Sequence, residues 1–520
     1  MEGTVYCGPH HGRLQDRLTQ AEDPFHNHGA PHRFVRPNLE LIVTTPQRPW
    51  SPFAVLPLVV LACLTVAAPG LAQEWARFRG PNGSGIAPDA ADYPVVFGPD
   101  RALRWRTTVR PGKSSPVLSR RHVFLTAFDE GDLYTQCFDR VSGRLVWERS
   151  ERPARREDAH VLNEPSAATP VTDGENVYVF FRDLGVISYD AAGAVRWKHP
   201  MGPFVNRMGA VTSPIIAGES LVVVLDQLER SSIVALSLDS GAVQWKVLRE
   251  EMDGWATPVL YAPAGQPAQI VTAGAGRYGG HAVGTGERLW THNGLAPAIV
   301  ASPVLAGDTV LGFGYGYDST PPFSEALSRN DKDGDDRISL VECGESAWLI
   351  GIAKHYGDRD GSIVEAEWLE AWSKVVAPSS LVAVVLERGT AGGIAPRELW
   401  RYEKSFVAVV PTPLVLDGLV YTIKNGGILT VLDAATGAVV RTARVGSVPA
   451  SYSASPVATG GRIYFANEDG IVTVVRAGKD WEPLASNDLG EPLYATPALS
   501  AGSLFVRGAK SLFAFNGVSR

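Results

Sequence analysis

The chain has 520 residues, 48 basic against 55 acidic side chains, and a formal charge of −7. That balance excludes the basic surface a nucleic-acid binder needs, and only four cysteines exclude a disulfide framework. The length allows one large core.

Residues 1–52 hold five of the eleven histidines (His10, His11, His26, His28, His32), many prolines and no hydrophobic period. They read as a disordered extension or a mis-assigned start, with a metal-binding tail as the sharper alternative. Residues 53–68, FAVLPLVVLACLTVAA, form an apolar run. The run suits a signal-peptide core better than a membrane span, which needs about 20 apolar residues. Gly70 and Ala72 supply a small-residue cleavage pattern, so residues 53–72 are expected to leave as a signal peptide. A retained anchor is the alternative. Lipidation at Cys63 is opposed by the apolar Leu64, Val66 and Ala67 that follow it. The mature chain is thus expected to be exported, periplasmic or extracellular, with no transmembrane segment.

From residue 73 onward one phrase recurs: a hydroxyl residue, proline, then aliphatics. Its prolines are Pro116, Pro170, Pro214, Pro258, Pro303, Pro413, Pro456 and Pro497. Blade-like periods of this length predict a propeller, and eight copies predict eight blades. Each unit continues with β-rich runs such as VYVFF ending at Phe181 and LVVVL ending at Leu225. Glycine turns follow at Gly143, Gly193, Gly241, Gly286 and Gly437, where a tight hairpin needs positive φ. A last strand then ends in Trp147, Trp197, Trp245, Trp290 or Trp400. Arg441 takes that slot in the sixth unit, and the seventh is blurred near Trp481. The eighth unit lacks a tryptophan strand, while ALRWRTTV around Trp105 has no unit to serve. Pairing the two predicts an all-β, eight-bladed β-propeller closed by N- and C-terminal strands, spanning 73–520. A β-solenoid or two sandwiches would leave Trp105 unexplained.

The chain resembles the PQQ-binding-like (quinoprotein-type) β-propeller repeat family over about residues 74–520. The resemblance rests on EWARFRGPNGSG ending at Gly85, NGGILTVLDAATG ending at Gly437 and NDLGEPLYATPAL ending at Leu499. It implies that each tryptophan docks against the neighbouring blade, a structural role.

The fifth unit breaks the spacing. Proline-to-tryptophan distances of thirty-one residues in units one and three become ninety-seven, from Pro303 to Trp400. A small α-helical, EF-hand-like insertion over 318–379 is therefore expected in the fifth blade. Within it DKDGDDRISLVE, Asp331 to Glu342, carries the twelve-residue calcium-loop pattern. Asp331, Asp333 and Asp335 would offer side-chain oxygens and Arg337 its carbonyl. Ser339 would bind directly or through water, and Glu342 with both oxygens. Asp336 stands where glycine is usual. A second loop, Tyr356 to Glu367, offers Asp358, Asp360 and Glu367 but begins with tyrosine. Trp348, Leu349 and Ile352 after the first loop, and Trp368, Leu369 and Trp372 after the second, predict helices with an inward apolar face. Ca²⁺ is the expected cofactor.

No catalytic constellation stands out. There is no adjacent cysteine pair, no HExxH, no GxSxG and no P-loop. Cys137 and Cys343 read as buried small hydrophobes. Two readings follow. One is an exported, non-enzymatic scaffold, a monomeric propeller binding a protein, peptide or glycan at axial or rim loops. The other, implied by the resemblance, is a PQQ-dependent quinoprotein dehydrogenase of alcohols or sugars. Glu164 beside Asn163 is a thin case for a quinone–calcium site. For any axial site the candidates are Asn163, Asn206, Arg207, Arg277, Tyr315, Tyr452 and Tyr494.

Overall fold

The computed structural model describes residues 75–517 apart from 88–90, 158–162, 345, 390–391 and 405–409. The extension over 1–52 and the expected signal peptide over 53–72 lie outside the described residues.

Eight four-stranded antiparallel sheets follow one another along the chain. Each begins immediately after a repeat proline. The first blade runs Val117–Leu118, His122–Asp129, Asp132–Asp139 and Leu145–Glu151 from the axis outward. The innermost strand has no partner on its axial side. A proline at its start has no N–H to leave exposed there, which blunts the edge. Second strands such as Val177–Phe181 are buried at every position, because both faces pack on neighbouring blades. Outer strands alternate, with solvent on one side.

The eighth blade takes Ala498–Ser500, Ser503–Arg507 and Ser511–Asn516 from one end of the ring and Leu103–Thr108 from the other. Trp105 lies opposite Ala514, and Leu103 opposite Phe515.

The seams explain the tryptophans. The indole N–H of Trp105, Trp147, Trp197, Trp245 and Trp400 donates to Arg140, Ala191, Leu238, Val283 and Ala434 of the next blade, at 2.9 to 3.2 Å. Under each ring sits a turn glycine: Gly143, Gly193, Gly241, Gly286 and Gly437. A Cβ there would fall 2.4 to 2.6 Å from the indole, and φ lies between 69° and 80°. Those glycines are required twice, for the hairpin and for the seat of the ring. In the sixth slot the roles are exchanged. Arg441 donates to the Trp481 carbonyl at 2.7 Å and lies over its ring at 4.7 Å, so the aromatic group belongs to the receiving turn.

Three expectations need correction. The tryptophans sit inside the outer strands rather than at their ends; Trp197 is the third residue of Val195–Pro200. Trp290 bonds Gln269 of its own blade at 2.7 Å and rests on Gly280, so that seam is built differently. Leu369 is half exposed, because three apolar residues in five exceed the single helix face that Trp368 and Trp372 already fill.

The chain between Gly314 and Ser380 leaves the fifth blade between its second and third strands. It carries three helices, α1 (Phe323–Asn330), α2 (Ala347–His355) and α3 (Glu365–Ser373). Leu349, Ile352, Trp368 and Trp372 are buried in a core of its own with Ile338 and Ile363. Cys137 and Cys343 are free thiols, both buried. Among the described residues no helix is long and apolar enough to cross a membrane.

Candidate functional site

Two features share one end of the ring: a cavity on the axis and the fifth-blade insert beside it.

The residue before each repeat proline is Ser115, Thr169, Ser213, Thr257, Ser302, Thr412, Ser455 or Thr496. A following proline holds it extended and outside the sheet ladder, so its buried N–H needs another acceptor. The neighbouring blade supplies one. Each N–H donates to the hydroxyl of the next residue in the series, and Thr496 donates to Ser115. The eight bonds, 2.9 to 3.2 Å long, close a ring around the axis. The sequence displayed all eight hydroxyls, but their bonding crosses between blades and no local pattern announces it.

The segment after Trp75 closes one end of the ring. Arg79, fully buried, donates to the carbonyls of Gly83, Ser84, Thr412, Pro413 and Pro456. Burial pulls its guanidinium down to about 9. Arg77 reaches the Pro258 carbonyl at 2.6 Å, and Asn82 exchanges two bonds with Leu260. The phrase that marked the resemblance is thus a plug.

Above the plug lies a cavity of about 460 Å³. All eight ring hydroxyls line it, with Phe78 of the plug. Toward the loops its wall includes Lys113, Asn163, Trp255, Asn425, Glu468 and three tyrosines, Tyr315, Tyr452 and Tyr494. Burial lowers the Lys113 ammonium, against the pull of Glu164 and Glu468. Of the axial candidates, Asn163, Tyr315, Tyr452 and Tyr494 therefore line the cavity. Asn206, Arg207 and Arg277 do not. Asn206 donates to the Asp226 carbonyl, Arg207 is bound to Asp253, and Arg277 pairs with Glu250. Glu164 is also absent from the lining and accepts from the Ser166 hydroxyl. Lys113, Trp255 and Asn425 escaped sequence reading because nothing local distinguishes them from other loop residues.

The insert sits against the wall of this cavity. Arg207 forms a buried ion pair with Asp253 at 2.5 Å and lies over Trp348 at 4.9 Å. Trp372 meets Tyr317 edge-on at 4.7 Å, and Tyr317 meets Tyr315 at 5.7 Å. Below that seat lies a buried network in which Arg249 holds Asp226 at 2.7 Å and Arg288 holds Glu251 at 2.7 Å. Gly274 leaves room for it, since a Cβ there would meet Glu251, Arg249 and Asp226 within 3.0 Å. His281, pushed to about 4 first by burial and then by Arg249, stays neutral among them.

In the insert, Asp331, Asp333 and Asp335 bring one carboxylate oxygen each within 4.8 Å of the others. Partial desolvation, then the charges of Asp335, Glu342 and Asp331, raise the Asp333 carboxyl. Asp336 has φ 61°, and Gly361 has φ 90° at the matching place in the second loop. Ile338 pairs with Ile363, and Ser339 with Ser362. Glu342 accepts from the N–H of Lys332 and from both the N–H and hydroxyl of Ser339, which holds its carboxyl at about 2. Asp358, Asp360 and Glu367 form no such convergent group among the described residues. Arg337, placed in the first loop for its carbonyl, sends its guanidinium to Asp360 at 3.2 Å.

Comparison with known proteins gives the following. The family profile for outer membrane protein assembly factor BamB matches residues 95–223 and 375–517. No curated protein matches. Among solved structures, BamB from Moraxella catarrhalis is 14% identical with TM-score 0.51, over 80% of this chain and 99% of that one. A europium-containing methanol dehydrogenase is 11% identical with TM-score 0.53, over 86% of this chain and 99% of that one. At such identities the two structures speak for the fold alone.

Proposed function

Because the chain belongs to the PQQ-like propeller family described by outer membrane protein assembly factor BamB, we propose that it is an exported, non-enzymatic scaffold. Its rim carries a calcium-binding insert, and its partner is a protein, peptide or glycan bound at axial or rim loops. The apolar run before residue 73 supports export. The observation that carries the reading is the first insert loop. Three carboxylates converge, Glu342 closes the loop, and the backbone pairs with a second loop through Ile338 and Ile363. A hard cation wanting six to eight oxygens suits that donor set. Asp331, Asp333, Asp335, Glu342, Ser339 and the Arg337 carbonyl would hold it. Bound there, it would cancel the carboxylate repulsion and stiffen the insert against Arg207 and Tyr317.

The quinoprotein reading draws on the axial cavity and on the fold shared with a methanol dehydrogenase. The residues present do not suit a quinone–calcium pair. Among the described residues Glu468 is the single carboxylate of the lining, too few charged oxygens for a calcium ion beside a quinone. Cys137 and Cys343 lie elsewhere, in the first blade and the insert.

Calorimetric titration tests the proposal. One saturable Ca²⁺ site between roughly micromolar and millimolar is expected. No heat on adding Ca²⁺ would remove the calcium half. Dye-linked alcohol oxidation after adding PQQ and Ca²⁺ would replace the scaffold half with the dehydrogenase reading.

A further inference from the structure

The eight ring residues are all but fully buried, between 2% and 5% exposed. Each accepts an N–H from its neighbour, and none donates to an acceptor among the described residues. Eight O–H donors therefore line one cavity without protein partners. Buried donors left unmatched are costly, so acceptors in the cavity, whether of a ligand or of water, suit this floor.

The charge in the wall narrows the class. Among the described residues Lys113 and Glu468 are the charged side chains of the lining, one of each sign. The two signs offset each other, so the balance favours a neutral ligand. The aromatic residues narrow it further. Trp255, Tyr315, Tyr452 and Tyr494 surround the space between ring and loops. Their apolar faces suit C–H surfaces, and the phenols and the Asn425 amide suit hydroxyls. A neutral molecule with acceptor oxygens at its edge, C–H faces and its own O–H donors for Glu468 suits this lining. The volume, about 460 Å³, is in the range of small-molecule sites.

We propose that the axial cavity binds a small neutral saccharide, seated on the ring of eight hydroxyls and flanked by the aromatic wall. This deepens the binding half of the scaffold reading and is independent of the calcium loop.

The test uses the whole exported protein on a soluble glycan array, followed by calorimetry with glucose, N-acetylglucosamine, maltose and the strongest array hit. Saturable binding with a change in tryptophan emission is expected. Thr257→Val with Thr412→Val should weaken binding at least tenfold. Those changes also remove acceptors for the N–H groups of Ser213 and Ser302. Tyr494→Ala, which leaves the ring intact, should therefore weaken binding at least threefold in a protein of unchanged melting temperature. Silence across the array overturns the proposal. So does binding that neither variant alters, or preferential binding of citrate or phosphate. Calcium titration and partner capture read the scaffold proposal separately, so a failed glycan screen with intact calcium binding removes this inference alone.

Discussion

Loops 331–342 and 356–367 follow the same backbone path and differ in where their carboxylates point. Both place a positive φ at the sixth position, both pair an isoleucine at the eighth, and both turn the last glutamate back onto loop N–H groups. In the first, three aspartates converge. In the second, the first position is Tyr356, buried in the insert core, and Asp360 is engaged by Arg337. Arg359 of the same loop pairs with Glu229 of the third blade at 2.7 Å. The first loop's aspartates accept N–H groups of their own loop, whereas the second loop's charges pair with Arg337 and, through Arg359, with the third blade. The same backbone path therefore does not by itself bring carboxylates together; the first side chain and the nearest arginine differ between the loops.

The strongest break in this comparison comes from the two closing glutamates. Glu342→Gln should lower Ca²⁺ affinity by roughly 100-fold, because it removes the expected two-oxygen ligand. Glu367→Gln should leave affinity within about threefold, a spread worth roughly 0.7 kcal/mol. Equal losses in calorimetry would erase the distinction between the loops. Next in size is Arg337→Ala, which frees Asp360. It should open a second, millimolar site detectable by terbium luminescence, and an unchanged stoichiometry would show that Tyr356 alone silences that loop. Asp336→Gly is smaller. It relieves a positive φ worth about 1 kcal/mol, so affinity should rise several-fold and the melting temperature slightly. The smallest effect is on acid stability. The N–H groups of Lys332 and Ser339 depress the Glu342 carboxyl to about 2, below its ordinary 4.5. Its contribution is complete above pH 4.5 and is lost as pH falls toward 2. Glu342→Gln should flatten that part of the acid unfolding curve followed by tryptophan emission.

The spacing of eight prolines made the blades legible, since each proline starts an inner strand whose axial edge it blunts. Trp105 found its place because the last unit lacked an outer strand. Aspartate spacing marked the first loop, whose converging carboxylates are local in sequence. The polar bonds that cross between blades were hidden. The Ser115-to-Thr496 closure spans 381 residues, and Arg79 reaches carbonyls more than 300 residues away. Arg441 looked like a missing tryptophan until Trp481 was seen beneath it. Leu369 fitted a helical period by sequence and faces solvent because two indoles had filled the face.

The pairing of Leu103–Thr108 with Ser511–Asn516 also sets an order of events during synthesis. Arg106 and Ser511, bonded across that junction, stand 405 residues apart. Until the later partner leaves the ribosome, the growing array carries two raw sheet margins, each a template for a neighbouring molecule. Loop closure over such a distance is slow relative to forming any single hairpin. A chain of this design therefore depends on being kept apart from its copies until its final strand arrives.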